Sequence, residues 1–151
     1  HSTYATSWAQ ACLPIPALGT THADHFYGPI PCTRALGDDE LGDGYERKTG
    51  EALADAFDGV DPLQVPGALM AFHGPFTWGA TPESAVEHSV ILEEIARMAY
   101  LTRTICGNCA KRLSRACSAR LCSRRGARRA LSPLKILVDA VVLRAKYSRC
   151  R

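Results

Sequence analysis

The hydrophobic pattern at the start of the chain predicts a helix followed by a loop. Apolar residues recur at i, i+4 spacing directly after His1, and this period is typical of a short helix. Leu13–Pro16 should end the helix, because proline cannot continue its hydrogen-bonding ladder. The segment 17–33 is rich in Gly, Pro and Thr and predicts a loop with short extended pieces. Loops of this kind commonly display functional side chains.

A second helix and a buried strand are predicted in the middle of the chain. An apolar stripe follows Thr49 at helical spacing and is closed by Gly59, a residue that commonly ends helices. The short apolar run 67–72 predicts a buried strand. His73 stands at the end of this strand, and the Gly-Pro pair after it forces the chain to turn.

The last well-marked element is a helix that begins at Thr81-Pro82-Glu83. A hydroxyl at the N-cap, proline at the first helical position and an acidic residue in the first turn are three independent helix-start signals. The helix should run to about Arg103, with an apolar pattern at Val86, Val90, Ile95 and Ala99. Strands and helices that alternate, with reactive residues at strand ends, predict an α/β fold.

The length of the chain allows one domain with a real core, and its hydropathy excludes a membrane span. At 151 residues the chain is within the usual range of a single domain. No segment approaches the roughly 18 consecutive apolar residues that a transmembrane helix needs. The chain opens at His1 without an initiating Met or a signal peptide, and we expect it to be an internal fragment of a longer protein.

The net charge of +3 conceals two parts of opposite charge. Residues 1–103 carry 5 basic and 14 acidic side chains, a net charge of −9, whereas residues 104–151 carry 13 basic side chains and one acidic one, a net charge of +12. All five His lie in the first part and five of the seven Cys in the second. A change this sharp indicates a domain boundary with a basic tail or a shifted reading frame.

Cysteine usage favours a reducing compartment. Cys12 and Cys32 are flanked by apolar residues or proline, which predicts small buried thiols in the cytoplasm rather than a disulfide framework. In the tail, four cysteines have the spacing C-x2-C-x7-C-x4-C: Cys106, Cys109, Cys117 and Cys122. The middle gap is short for a zinc module, and Tyr147 is the tail's only aromatic residue. Base stacking needs aromatic residues, so we expect no nucleic-acid partner.

Candidate chemistry centres on the segment 22–34, which reads HADHFYGPIPCTR. Asp24 is flanked by two histidines that could orient it and shift its pKa for proton transfer. His1 and His73 could ligate a metal, since catalytic metal sites use converging imidazoles. Spacing alone also allows purely structural roles. Asp24 could close an Asx turn, and the histidines could be surface or core residues whose hydrogen bonds are made within the fold.

Three phrases of the sequence, HSTYATSWAQ, HADHFYGPIPCTR and FHGPFTWG, resemble the L-ribulose-5-phosphate 4-epimerases of the class II aldolase family. The resemblance implies that His1 is the second histidine of a metal-binding pair and that His73 is a later metal ligand. The first histidine of the pair would lie two residues before His1. The resemblance further implies that Asp24 is the catalytic acid/base and that Glu46 is a carboxylate near the site, although a surface charge explains Glu46 nearly as well.

The resemblance also implies a fold, a cofactor and a reaction. The family fold has three αβα layers around a mostly antiparallel sheet, is incomplete here, and assembles as a homotetramer. The expected cofactor is Zn²⁺ or another divalent metal such as Mn²⁺. The expected substrate is a sugar phosphate, L-ribulose 5-phosphate, converted to D-xylulose 5-phosphate by retro-aldol and aldol steps in L-arabinose breakdown. The alternatives are a class II sugar-phosphate aldolase, an inactive fragment or scaffold of the same fold, and a copper enzyme that uses an N-terminal histidine.

The resemblance covers residues 1–103 and stops there. We expect residues 104–151 to be a non-native or disordered basic tail from a shifted reading frame, with a possible helix at 132–147. A genuine basic interaction tail is the alternative. Because the phosphate loops, one metal histidine and the C-terminal tyrosine of the family are missing, we expect this chain alone to be inactive.

Overall fold

A computed structural model describes residues 1–106 of the chain. Within that range the chain forms, in order, α1 (Thr3–Gln10), α2 (Thr20–His25), a 3-10 turn (Asp38–Glu40), α3 (Tyr45–Asp55), β1 (Gly67–Met70), β2 (Gly74–Thr77) and α4 (Pro82–Cys106). The predicted first helix, the strand that ends just before His73 and the helix that starts after Thr81 are all present. None of the helices within residues 1–106 has the length and apolar composition needed to cross a membrane.

The two strands form an antiparallel hairpin that lies in the core. Gly67 pairs with Thr77 and Met70 with Gly74, so the strands are in register up to the tight turn that carries His73. All four residues of β1 are buried, which agrees with the unbroken apolar run in the sequence. Within residues 1–106, the observed architecture is therefore helices around a small antiparallel sheet of two strands.

Helix α4 supplies the surface on which α1 packs. The Thr81 hydroxyl accepts a hydrogen bond from the Ser84 backbone N–H at 3.2 Å, as the predicted cap requires. Further along α4 one face is buried and consists of Leu92, Ile95, Ala96 and Ala99. The Trp8 indole N–H donates to the Ala96 carbonyl at 3.0 Å in the buried contact between the two helices.

Two predictions from the hydrophobic pattern are wrong in part. The segment 17–33 is predicted to be a loop but contains the helix α2. The sequence of this helix, TTHADH, has no apolar stripe to indicate a helix. The valines Val86 and Val90 lie in α4 but are 64% and 62% exposed. Their spacing correctly indicates a helix, but they do not lie on the buried face of α4.

The second predicted helix is confirmed, with an earlier start than the pattern indicates. Helix α3 begins at Tyr45 and buries Thr49, Ala52 and Leu53. The predicted helix at 132–147 and the cysteines beyond Cys106 lie outside the described residues. The same holds for nearly all of the predicted tail 104–151, of which α4 includes the first three residues.

Candidate functional site

The structure brings His1 and His73 together, although they lie at distant points of the chain. Their rings are nearly parallel, with centroids 5.0 Å apart and an interplanar angle of 7°. His73 is carried by the turn between β1 and β2, where its backbone N–H donates to the Met70 carbonyl at 3.0 Å. His1 lies two residues before the start of α1. The two histidines named as candidate metal ligands are therefore neighbours in the fold.

The pair can form because Gly74 has no side chain. A Cβ atom at this position would lie 3.2 Å from the Thr6 hydroxyl and 3.7 Å from the Cδ2 atom of His1. The first of these distances is tighter than most contacts of real Cβ atoms. Glycine thus lets the hairpin turn approach α1 closely enough for the two rings to meet.

Tyr45 orients the ring of His73 and was not found from the sequence. Its hydroxyl lies 3.1 Å from Nδ1 of His73, in a partly buried hydrogen bond. This contact makes Nε2 the ring nitrogen that would face a metal, because metal-binding histidines usually engage their other nitrogen with a neighbouring polar group. The sequence phrase GYERKTG drew attention to Glu46 instead, which is exposed in the first turn of α3.

The residue before His73 has an unusual backbone conformation. Phe72 has φ +60, a left-handed value that is strained for a bulky residue. Its side chain is 68% exposed, so burial of the ring does not account for the conformation. Its backbone N–H donates to the Ala9 carbonyl at 3.0 Å, which ties the hairpin turn to the end of α1.

Asp24 lies on a different element from the histidine pair. The pair is built by α1, α3 and the hairpin turn, whereas Asp24 is an exposed residue of α2. Helix α2 packs against α4. The structure therefore brings together two of the three predicted site residues and shows the third as an accessible carboxylate on a separate short helix.

His22 fixes the segment that carries Asp24. It is buried, and its Nε2 atom lies 2.6 Å from the Gly28 carbonyl, to which it donates. Burial lowers the pKa of His22, and the hydrogen bond to Gly28 only partly opposes this effect. Its Nδ1 atom has no hydrogen-bond partner among the described residues. The ring is therefore a neutral side chain that closes the loop after α2.

His88, a histidine of α4, has a structural environment. Its Nδ1 atom lies 2.7 Å from the Trp78 carbonyl, and its ring packs edge-on against Phe26 with centroids 6.2 Å apart. Both contacts join α4 to the core beside it. His88 accordingly packs and bonds as a structural residue.

The imidazoles of His1 and His73 could supply part of a catalytic metal site. Two imidazoles are two of the three protein ligands that catalytic zinc sites commonly use. Within residues 1–106, no group of three His, Cys, Asp or Glu side chains is arranged to hold a metal ion. The pair therefore has the right donor chemistry and lacks a third ligand in the part of the chain that the structure describes.

Two comparisons relate the chain to known proteins. The Class II Aldolase and Adducin N-terminal domain matches residues 1–100. Proteins named L-ribulose-5-phosphate 4-epimerase UlaF from Salmonella paratyphi B, Salmonella paratyphi A and Salmonella typhi are each 52% identical over 105 residues, which cover 70% of this chain and 46% of each relative. The chain thus spans about half the length of the curated relatives it matches.

Proposed function

Because the chain belongs to the class II aldolase and adducin family, we propose that it forms part of a metal-dependent L-ribulose-5-phosphate 4-epimerase. One observation carries the proposal. His1 and His73 stack with centroids 5.0 Å apart, both within the residues 1–100 that match the family domain, in a chain that is 52% identical over 105 residues to proteins with that name. The substrate would be L-ribulose 5-phosphate, and the product D-xylulose 5-phosphate.

His1 and His73 would hold the metal, with Tyr45 orienting His73 through Nδ1. Imidazole nitrogen suits zinc, and we take the ion to be Zn²⁺ or another divalent metal such as Mn²⁺. The third ligand would be the histidine expected two residues before His1. When bound, the ion would act as a Lewis acid toward substrate oxygens that become negatively charged.

Inversion at C4 requires a route other than simple deprotonation of carbon. The hydrogen on C4 is not acidic, because no carbonyl group is adjacent to that carbon. Breaking the C3–C4 bond removes the stereocentre and releases a two-carbon aldehyde that carries the phosphate. Rotation of this aldehyde and re-formation of the bond on its other face then give the epimer.

Asp24 would move the proton on one face of the aldehyde. As the C3–C4 bond breaks, the C4 hydroxyl loses its proton to a base, and as the bond re-forms the new C4 oxygen takes one up from an acid. An exposed carboxylate on α2 can take part in either step once substrate or a second subunit lies against it. A tyrosine from the C-terminal region of the complete protein would serve the other face.

The complete protein would add what this chain lacks. It would have the three-layer αβα fold with a mostly antiparallel sheet, and it would assemble as a homotetramer in the cytoplasm. Residues 1–103 would be one part of that domain, with residues 104–151 a separate basic tail. L-arabinose breakdown stays a prediction for the pathway.

Removal of the His73 imidazole tests the metal site. In a full-length protein that contains this region, His73→Ala should lower divalent-metal content and abolish epimerisation, because a three-ligand site then keeps two imidazoles. Metal content per subunit is measured after dialysis against buffered zinc. His25→Ala, at an exposed histidine of α2, is the matched control and should keep its metal. Unchanged metal content in His73→Ala would remove His73 from the site.

A second substitution separates epimerase from aldolase chemistry. Asp24→Asn should keep metal and fold but lose epimerisation by at least about 100-fold, since the amide has nearly the same shape and moves no proton. Asp58→Asn, at another exposed position, is the control. Product analysis distinguishes the C4 epimer from two- and three-carbon fragments. Release of fragments by the unmodified protein, without epimer, would favour a sugar-phosphate aldolase.

A further inference from the structure

The N-terminal end of α1 is held by a carboxylate from the other end of the described chain. The backbone N–H groups of Tyr4 and Ala5 donate to the two oxygens of Glu93, at 2.8 Å and 2.9 Å. These amides are in the first turn of α1, where helical N–H groups have no partner within the helix. The N-cap residue, Ser2, makes no side-chain capping bond. Glu93 of α4 therefore takes the place of a local cap.

The contact has the properties of a specific ionic anchor. Glu93 is half-buried, and burial alone would raise the pKa of its carboxyl group. The hydrogen bonds from Tyr4 and Ala5, together with weaker ones from Ser2 and Thr3, outweigh that effect and hold the pKa below its ordinary value. A carboxylate is also favoured at this place by the positive end of the α1 dipole.

Helix α1 connects this anchor to both histidines of the candidate metal site. His1 stands immediately before the N-cap residue, at the end of the helix that Glu93 holds. At the other end, the Ala9 carbonyl accepts the backbone N–H of Phe72, the residue before His73. Because the hairpin also packs against α4, a shift of the start of α1 relative to α4 would move His1 relative to His73.

The Glu93 bonds add a directional contact to the packing of α1 on α4. The two helices also share buried apolar residues of the core, and they meet through Trp8 on the Ala96 carbonyl, the rings of Tyr4 and Tyr100 with centroids 5.8 Å apart, and the Arg103 guanidinium over the Trp8 ring. Apolar and aromatic contacts tolerate small displacements, whereas two charge-assisted bonds to backbone amides define both distance and direction.

We propose that Glu93 is a positioning residue for the metal pair: its carboxylate fixes the start of α1 on α4 and so holds His1 beside His73. The inference rests on the proposed function for the identity of the ligand, because it assumes that the two imidazoles bind a divalent ion. The position of the rings can be measured without any metal.

The test compares Glu93→Gln with Glu94→Gln in the 151-residue chain. Gln has nearly the same shape but turns an NH₂ group toward one of the amides. Glu94 is the next residue of α4, is exposed, and pairs with Arg97 at 3.2 Å, so its substitution controls for the loss of one charge. Circular dichroism and thermal unfolding establish that each variant is folded.

The first readout is the contact between the two rings in metal-free protein. Nuclear Overhauser effects between ring protons of His1 and His73 should be present in the unmodified chain and in Glu94→Gln, and weakened at least about twofold in Glu93→Gln. A role limited to helix stability would lower the unfolding temperature of Glu93→Gln and leave these effects unchanged. That result would overturn the proposal.

The second readout is zinc binding observed at the histidines themselves. The ring nitrogen resonances of His1 and His73 are followed in zinc-buffered solutions, so binding by cysteines elsewhere does not contribute. Glu93→Gln should need about tenfold more free zinc for half-saturation. This is the lower end of the loss of metal affinity that follows removal of a group that orients a ligand. Equal affinity in Glu93→Gln and Glu94→Gln would contradict the proposal.

Failure of the metal assignment gives a different result. If zinc moves neither ring resonance in the unmodified chain, the two imidazoles do not hold the ion without a third ligand, which counts against the metal assignment, while the ring-contact measurement still tests the role of Glu93. If Glu93→Gln does not fold, Glu93→Asp is compared with Glu94→Asp. The shorter side chain keeps its charge but cannot reach both amides. The ring contact and the zinc affinity should therefore change in the same direction as in Glu93→Gln, but by less.

Discussion

At the scale of single residues, the strained backbone of Phe72 leads to a stability prediction. A left-handed conformation costs an L-residue roughly 1–2 kcal/mol, and glycine avoids that cost. Phe72→Gly should therefore be about 1 kcal/mol more stable than Phe72→Ala, because both variants lack the exposed ring and only alanine keeps the strain. Urea unfolding of the two variants measures the difference. Equal stabilities would show that the turn relaxes without cost.

Burial of His22 predicts a dependence of stability on pH. The pKa of the folded-state imidazole lies below its ordinary value of 6.5, so the unfolded chain binds the proton more readily. The contribution of His22 is complete above about pH 6.5 and is lost as the pH falls toward the folded-state pKa. His22→Gln should therefore lose less stability between pH 7 and pH 5 than the unmodified chain.

The control for this measurement is the neighbouring histidine of the same helix. His25 is exposed, and His25→Gln removes one histidine from the same helix while it leaves the buried ring of His22 in place. The free energy of unfolding at several pH values is obtained from urea titrations. Identical slopes for His22→Gln and the unmodified chain would mean that the buried imidazole accepts a proton without resistance.

The candidate site could be predicted from the sequence only as far as local phrases identify its residues. His1 and His73 stand in distinctive segments, and the structure places their rings together. Tyr45 and Glu93 contact residues that are far away in sequence, and no spacing or periodicity predicts such contacts. Glu93 in particular stands beside a second acid, Glu94, and from the sequence alone looks like an ordinary surface residue.

At the scale of elements, α4 shows which face of a helix carries stability. Leu92 is fully buried, whereas Val90 is 62% exposed on the same helix. Leu92→Ala should lower the free energy of unfolding by about 2–5 kcal/mol through lost burial and a cavity. Val90→Ala is the control and should change it by less than about 0.5 kcal/mol. A larger loss at Val90 would indicate that its exposed face is covered in solution.

Elements with local signals were predicted well, and those fixed by tertiary contacts were not. Thr81 and Pro82 mark the start of α4 because capping depends on residues a few positions apart. Helix α2 has no such signal; it is held by the buried ring of His22 and its bond to the Gly28 carbonyl. Similarly, the choice between Leu92 and Val90 as the buried face depends on where α1 packs.

At the scale of the whole molecule, the separation of charge predicts unusual chromatographic behaviour. Residues 1–103 carry a net charge of −9 and residues 104–151 a net charge of +12. At pH 7 and low salt, the chain should bind to both anion and cation exchangers, although its net charge is only +3. Salt of a few tenths molar should release it from both, because the screening length between charges is then shorter than about 10 Å.

Binding to the cation exchanger alone would contradict this expectation. It would mean that the acidic surface of residues 1–103 is neutralised by the basic residues of the same or another molecule. Repeating the experiment in urea distinguishes the two cases, since unfolding exposes both charge groups. Recovery of anion-exchange binding in urea would identify neutralisation in the folded chain.

The bond between Glu93 and the start of α1 also has a consequence for the order of folding. It joins residues separated by 88 and 89 positions in the chain, so it contributes to a high contact order, and contacts of this range form slowly because a long loop must close first. On the ribosome, α1 emerges long before α4 is synthesised. If Glu93 positions His1 as proposed, the imidazole of His1 gains its final place beside His73 only after translation has passed Glu93, and the stacked rings are then one of the last features of this region to assemble.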